Sequence, residues 1–410
     1  MFAYESLEVA ATCMKRRLTV GILDHTSSVV GGAQFVNVCM AEVLSQHLGV
    51  EMIHGGTGYR LADLARSFQV DLSRTSERIL PWLNDVQGFG IPGPRSPFEQ
   101  IQSCRALTKL YDVFIYSGHN VPPFCFAKAG LAYIHFPMER KPGAVLTARP
   151  LSNGRNGFWS HAKEAAYEAC WKFQMRGYTH LLANSDYTAG WIERRWGQVS
   201  QVLYPPVEAE FPRLAKRNLI VSIGRFTSER RSKHQLELVN AFRDFCKTVG
   251  SSWELCLVGF CGKSREDQSY LQQVQEASTH LPVTIVLDAD RETTRRLVAE
   301  SKLFWHAAGI GVDESSHPEC AEHFGIATVE AMRGGCVPVV IASGGQREII
   351  EHERSGFLAD NLDQLVQASI RLATHEPLRE RASEQAKARS AAFTREMFNR
   401  RVEDLVRSFV

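Results

Sequence analysis

Residues 219–259 read LIVSIGRFTSERRSKHQLELVNAFRDFCKTVGSSWELCLVG. The stretch opens on an apolar run, LIVSIG (219–224), and passes through a polar, basic turn. It then keeps a helical period from Lys233 to Val249 and closes on a second run, ELCLVG (254–259). Both runs are continuous rather than alternating, as strands buried on two faces are. Strand, helix and strand in this order make a right-handed βαβ unit of a parallel sheet. The alternation extends in both directions. Towards the N-terminus, strands are predicted at LTVGIL (18–23), VEMIH (50–54), VFIYS (113–117), AYIHF (132–136), HLLANS (180–185) and QVLY (201–204). Towards the C-terminus they are predicted at VTIVL (283–287), LFWHA (303–307) and VPVVIA (337–342). Further helical periods lie at Gln34–Gln46, His161–Phe173, Glu266–Ala277, Glu292–Ala299 and Asp363–Leu372. The fold class is α/β with doubly wound sheets.

The chain has 410 residues, more than the ~250–300 at which single cores stop growing. Two series of strands therefore predict two Rossmann-like domains. The boundary falls where Pro205-Pro206 ends a strand and a polar stretch leads to Asn218. Residues 1–207 form the first domain, 208–385 the second, and 386–410 a terminal helical segment. A net charge of +2 offers no field for nucleic acid. With 44% apolar and 22% charged residues, the composition excludes collagen, disorder and a disulfide-stapled scaffold. Ten cysteines without a C-x-x-C pair predict reduced thiols of a cytosolic protein. The apolar runs are strand-sized, short of the ~18–20 residues a spanning helix needs. The first 16 residues carry Glu5 and Glu8 and no continuous apolar core, so no secretory signal is expected.

Parallel sheets bind ligands beyond the carboxyl ends of their strands. Beyond the first strand, Gly31-Gly32 opens a helix, where bare amides suit a phosphate or sugar oxygen; a plain helix-start turn has the same letters. Gly224-Arg225, with Lys233 eight residues on, brings two cations to one strand end. A guanidinium fork and a point charge suit a diphosphate, although a solvated basic turn containing Arg230 and Arg231 is the alternative. The most informative segment is HPECAEHFGIATVEAMRGG (317–335). Glu322 precedes a helix starting near Phe324–Gly325, whose N-terminus carries free amides, and Gly334-Gly335 stops it. Glu330 sits between Val329 and Ala331 in a helix that reads as buried, so it needs a partner, and sugar hydroxyls are natural ones.

Glu322 and Glu330 bracket seven residues inside EHFGIATVEAM, followed by GCVPVV and SGGQREII. This pattern resembles the Glu-x7-Glu signature of retaining glycosyltransferases of the GT-B fold, family 4. Gly31-Gly32, YIHFP (133–137), Ala183-Asn184-Ser185, Trp191, Trp196-Gly197, VLYPPV (202–207), VSIGR (221–225) and Ser232–Gln235 extend the resemblance over most of the chain. The letters YIHFP, VLYPPV and EHFGI are most similar to α-mannosyltransferases of lipid-linked oligosaccharide and bacterial polysaccharide assembly. The resemblance implies two Rossmann-like domains facing across a cleft, the acceptor in the first and a nucleotide-sugar donor in the second. The last helix, from about Ser390, is expected to cross back to the first domain.

Position by position, the resemblance implies that Arg225 and Lys233 hold the donor's diphosphate and that Gly31, Gly32 and Gly224 abut it. Glu322 contacts the transferred sugar, Glu330 the ribose, and the amides of Phe324, Gly325 and Ile326 complete the pocket. His135 faces the sugar from the first domain. The implied chemistry is hexose transfer, with GDP-mannose as the expected donor, retention of configuration, and no cofactor or metal. Asp288-Ala-Asp290, the nearest approach to an Asp-x-Asp site, reads as a helix-start turn. His119, Arg140 and Lys141 are acceptor-side candidates. Trp305-His306 is a candidate for base or sugar contact, and His317 and His323 read as supports of Glu322. Residues 139–178 carry seven Lys or Arg against three Glu, with Phe158, Trp159, Trp171 and Phe173. That mixture suits peripheral contact with an anionic membrane, or a helix whose aromatics are core. The expected partners are a nucleotide-sugar and a glycan or lipid-linked acceptor, and the expected location is cytoplasmic, peripheral to a membrane. A sugar-nucleotide 2-epimerase, a phosphorylase and a non-catalytic sugar-nucleotide binder remain the alternatives.

Overall fold

The computed structural model describes residues 17–24, 31–56, 60–81, 97–140, 157–207, 210–228 and 232–409. The first parallel sheet contains β1 (Thr19–Asp24), β2 (Gly49–His54), β3 (Thr75–Ile79), β4 (Val113–Gly118), β5 (Ala129–Ile134), β6 (His180–Ala183) and β7 (Gln201–Val202). Its order is β3-β2-β1-β4-β5-β6-β7. The helices around it are α1 (Gly32–Ser45), α2 (Leu61–Phe68), α3 (Pro97–Thr108), α4 (Gly157–Met175) and α5 (Asp186–Trp196). The second parallel sheet contains β8 (Arg217–Ile223), β9 (Glu254–Gly259), β10 (Val283–Leu287), β11 (Ser301–His306), β12 (Val337–Ile341) and β13 (Phe357–Ala359), in the order β10-β9-β8-β11-β12-β13. Its helices are α6 (Gln235–Val249), α7 (Arg265–Ala277), α8 (Arg291–Glu300), α9 (Ile326–Arg333), α10 (Gln346–Ile349), α11 (Leu362–Thr374) and α12 (Glu376–Ser390). The chain ends in α13 (Arg395–Arg407).

Each sheet is buried on both faces. Val20, Ile22, Val36 and Met40 share one core of the first sheet, and Phe114, Tyr116, Trp171 and Trp196 the other. Phe242, Phe245 and Trp305 fill one face of the second sheet, and Val329, Met332 and Phe393 the other. Helix α13 packs on α1, placing Phe398, Val402, Leu405 and Val406 in the first sheet's core. Each such side chain contributes roughly 1.5–3 kcal/mol when taken from water. Arg395 pairs with Glu42 of α1, and its N–H donates to Val207 O at 3.2 Å. The chain therefore passes between the sheets twice, and the two crossings run side by side.

Two strands escape the sequence reading. β3 is an edge strand with a mostly exposed, polar sequence, TSERI, so no apolar run announces it. β13 spans three residues, too few for a pattern to show. QVLY yields a strand only at Gln201–Val202, and the last two letters of HLLANS form the entry to α5. There Ser185 caps the helix by accepting from the Thr188 N–H, and Gly197 ends it in the left-handed region. Helix α6 begins at Gln235 rather than Lys233, so Lys233 stands on the loop before it.

Strand order reverses between β1 and β4 in one sheet and between β8 and β11 in the other. A crevice opens at such a switch point, because neighbouring connections leave on opposite faces. The segments beyond these four strands are those beginning after Asp24, Gly118, Ile223 and His306.

Candidate active site

A cleft of about 530 Å³ lies there, walled by both domains. Gly31, Gly32, His119, His135, Gly224, Arg225, Lys233, Glu322, Phe324, Gly325, Ile326 and Glu330 all line it. Residues that no single motif connects are thus brought to one space.

The cation end is built by close backbone approach. A Cβ on Gly224 would stand 2.4 Å from Lys233 Cγ, so only glycine lets the lysine pass over the strand end. The Gln235 amide donates to Gly224 O at 3.2 Å and Arg225 O at 3.0 Å, pinning the turn to the first residue of α6. Across the cleft, a Cβ on Gly32 would meet Ile326 Cδ1 at 2.9 Å, so the start of α1 lies directly against the start of α9.

Glu322 does not act as a cap for α9. Its Oε2 accepts from Lys233 Nζ at 2.5 Å and lies 3.1 Å from His306 Nε2. Burial alone would push this carboxyl up; the Lys233 ammonium and the His306 hydrogen bond outweigh burial and hold it below the ordinary carboxylate range. The loop that carries it rests on S-G-G-Q (343–346), where Gly345 N–H donates to Glu322 O at 2.7 Å. Gly344, at φ +53°, has Glu322 O where a Cβ would stand. Gly325, at φ +117°, turns the chain into α9, and a Cβ there would meet Gln346 at 2.9 Å.

The first domain faces this with histidines. His135 is buried, its Nε2 shares a hydrogen bond of 3.0 Å with Ser117 Oγ, and its carbonyl accepts from Asn184 Nδ2 at 2.9 Å. The His119 ring lies 5.3 Å from that of His135 and 6.2 Å from that of His323. His323 stacks on Phe136 at 4.1 Å and 11°, and its carbonyl accepts from Ser185 Oγ at 2.5 Å. His317 and Glu319 lie 3.6 Å apart, and Arg195 reaches Glu319 at 3.1 Å. The Tyr187 hydroxyl donates to Pro318 O at 3.0 Å. Helix α5 of the first domain thus grips the segment that bears Glu322.

Glu348 completes the grip. Its carboxylate accepts from the Asp186 and Tyr187 N–H groups at the start of α5, at 2.8 and 3.3 Å. Burial raises its carboxyl to about 7, with Asp186 also raising it and the backbone hydrogen bonds opposing. A folded pKa raised above the ordinary 4.5 gives a stability contribution present below pH 4.5 and lost as pH rises through about 7. Melting followed from pH 5 to pH 8 should therefore show a decline of about 1–3 kcal/mol that Glu348→Gln flattens. An unchanged slope in that variant would exclude Glu348 as its source.

Some sequence candidates lie elsewhere. Arg140 is absent from the cleft: its guanidinium donates to Arg195 O at 3.2 Å, pairs with Glu168 at 3.1 Å and covers the Trp171 ring at 4.8 Å. These contacts tie it to α4 and α5. Lys141 lies outside the described residues, as do the side chains of Phe158 and Trp159. In the rest of 139–178, Trp171 is core while Phe173 is 49% exposed beside exposed Lys172. Trp305 is fully buried and bonds Ser369, so only His306 of that pair reaches the cleft. Asp290 caps α8 by accepting from the Thr293 N–H at 2.7 Å. Among the described residues no three His, Cys, Asp or Glu side chains gather in a metal-holding arrangement, and no helix is long and apolar enough to cross a membrane.

Other lining residues carry no sequence signal of their role. Arg291, first residue of α8, places its guanidinium 4.8 Å from the Phe35 ring of α1, joining the domains. With Glu330 it also borders a second hollow of about 220 Å³ containing Ser67, Thr294 and Arg295. The Asp290 cap signature marks the helix start but not its partner across the cleft.

Residues 207–389 match the family model described as glycosyl transferases group 1. A mouse protein named GDP-Man:Man(3)GlcNAc(2)-PP-Dol alpha-1,2-mannosyltransferase is 29% identical over 196 residues, covering 44% of this chain and 38% of that protein. The human protein of the same name is 27% identical over 202 residues. The chain thus matches well under half the length of these curated relatives. In three dimensions, a glycosyltransferase from Rickettsia africae superposes with a TM-score of 0.68 at 15% identity, over 96% of this chain and 99% of that one. Anabaena HepE in complex with UDP and glucose gives 0.66 at 15% identity, over 95% and 100%. The fold is GT-B, and the second domain carries the glycosyl transferases group 1 match.

Proposed function

We propose that the chain is a retaining, metal-independent glycosyltransferase of family 4 that moves mannose from GDP-mannose to a glycan or lipid-linked acceptor. The observation that carries it is the convergence of Arg225, Lys233 and Glu322 at the β8/β11 switch point, opposite Gly31 and Gly32. Negative charge builds on the leaving diphosphate during transfer, and a cation about 4 Å from an oxyanion is worth roughly 4 kcal/mol at an effective dielectric of 20. Arg225 and Lys233 supply two such cations. The acceptor hydroxyl attacks the anomeric carbon from the leaving-group face as the bond from that carbon to the phosphate oxygen breaks. The bonding pair goes to the phosphate, which also takes the hydroxyl proton. In this reading Glu322 faces the positive charge that develops on the sugar and Glu330 binds the ribose; that both line the cleft supports it. Mannose and guanosine are supported by the names of the relatives, and a lipid-linked acceptor by the same names together with exposed Phe173 and Lys172.

A thermal-shift panel of UDP, GDP, ADP and their sugars tests the donor site. The preferred nucleotide at ~100 times its Kd should stabilise the protein by about 2.7 kcal/mol. GDP and GDP-mannose are expected to give that shift; a panel without any shift removes the donor site. Labelled GDP-mannose then separates the reaction classes. Interconversion of the sugar nucleotide without acceptor marks an epimerase, dependence on inorganic phosphate a phosphorylase, and label on an acceptor glycan a transferase.

A further inference from the structure

We infer that His306 is a positioning residue, which holds the Glu322 carboxylate in place when the donor's diphosphate draws Lys233 away. This rests on the glycosyltransferase reading of the same cleft. Lys233 Nζ and His306 Nε2 share one oxygen, Glu322 Oε2, at 2.5 and 3.1 Å. The two donors differ in kind. Lys233 stands on the loop before α6, 26% exposed, on a long flexible stem whose ammonium the diphosphate would claim. His306 is the last residue of β11 and 2% exposed, held among the strands of the second sheet with its ring 6.1 Å from that of Phe304. A carboxylate, an ammonium and a diphosphate in one cleft place two anions around one cation. Once the ammonium turns to the phosphates, the imidazole is the remaining donor to Glu322.

The hydrogen-bond network sets the tautomer of that imidazole. Burial pushes the ring towards its neutral form, and the Lys233 and His234 charges add to this against the pull of Glu322. A neutral ring beside a carboxylate carries its proton on Nε2. Nδ1 is then a bare acceptor, and it is buried with no hydrogen-bond partner among the described residues. A buried polar atom left unmatched weakens a fold. As packing at the end of β11, an aliphatic side chain would serve better. What histidine adds there is the Nε2–H, and that group meets Glu322.

Two variants and one spectrum test this. His306→Leu is expected to lower kcat for mannosyl transfer about 10- to 100-fold, the kinetic equivalent of one hydrogen bond to a charged group. Its Kd for GDP should weaken by less than about tenfold, because the cations are untouched and only the partner of Glu322 is lost, and its melting temperature should fall less than that of Lys233→Ala. His306→Gln, whose amide N–H can reach the same oxygen, should recover most of the rate. A leucine variant turning over within about twofold of the native protein overturns the inference. So do equal losses in both variants, or a loss that follows melting. Nitrogen-15 NMR of the His306 ring reads the same arrangement without turnover. A protonated Nε2 with bare Nδ1, before and after GDP is added, is expected, and the opposite tautomer overturns it. If the native protein neither binds a nucleotide nor transfers sugar, the glycosyltransferase reading is what fails, and the spectrum still decides the His306–Glu322 bond.

Discussion

Replacing Glu322 by glutamine is expected to lower sugar transfer by about 10²- to 10⁴-fold while the protein stays folded. The side chains have nearly the same shape, so the loop resting on Gly344 and Gly345 keeps its packing. What disappears, on the proposed reading, is a negative charge facing the reacting sugar. An interaction made mainly in the transition state shows in kcat rather than in ground-state binding. Binding of GDP alone should move the other way. Glu322 pairs with Lys233 at 2.5 Å, so an uncharged amide releases that ammonium for the diphosphate. Titration calorimetry should find GDP bound as tightly as in the native protein, or more tightly. Near-normal turnover by Glu322→Gln would remove this residue from the chemistry altogether.

Lys233→Ala is expected to lose both properties together. Turnover should fall by about 10²- to 10³-fold, as when a charge-stabilising donor is removed from a developing oxyanion. GDP affinity should weaken about 10- to 100-fold, the worth of a charge-assisted hydrogen bond. Without nucleotide added, the variant should also lose roughly 1–3 kcal/mol of stability, because Glu322, only 16% exposed, keeps only His306 of its two donors among the described residues. Melting scans check that term and calorimetry checks the affinity. The two variants thus agree on rate and disagree on nucleotide binding. A Lys233→Ala protein that binds GDP normally would place the diphosphate elsewhere in the cleft.

The parts of the site that could be read from the letters are those whose partners lie within one βα connection. Gly224, Arg225 and Lys233 lie within ten residues, and the spacing of a strand end and a helix start already brings the cations together. Glu322 and Glu330 are read in the same way across one loop and one short helix. Other features join segments far apart in the chain. Ser185 meets His323, and Arg291 meets Phe35, while His306 and Glu322 meet within the β11–α9 connection at a spacing that matches no helix or strand period. No local period carries those pairings. Arg140 shows the reverse case: a basic residue just beyond YIHFP suggested an acceptor contact, yet α4 and α5 close around it and Trp171 takes its face. β3 carries no apolar run, because an edge strand need not be apolar.

By itself the sequence determined the strand–helix alternation, the number of sheets and the residues at strand ends. Those properties follow from side-chain period, apolar run length and turn chemistry, which act over a few residues. The tertiary structure alone decided that β1 lies between β2 and β4, and β8 between β9 and β11. It also decided that the two resulting switch points face one another across a cleft held by α5, Glu348 and Arg291. Strand order and domain apposition come from burying surfaces far apart in the chain, and only the packing of β8 beside β11 sets Lys233 and His306 on the same oxygen of Glu322.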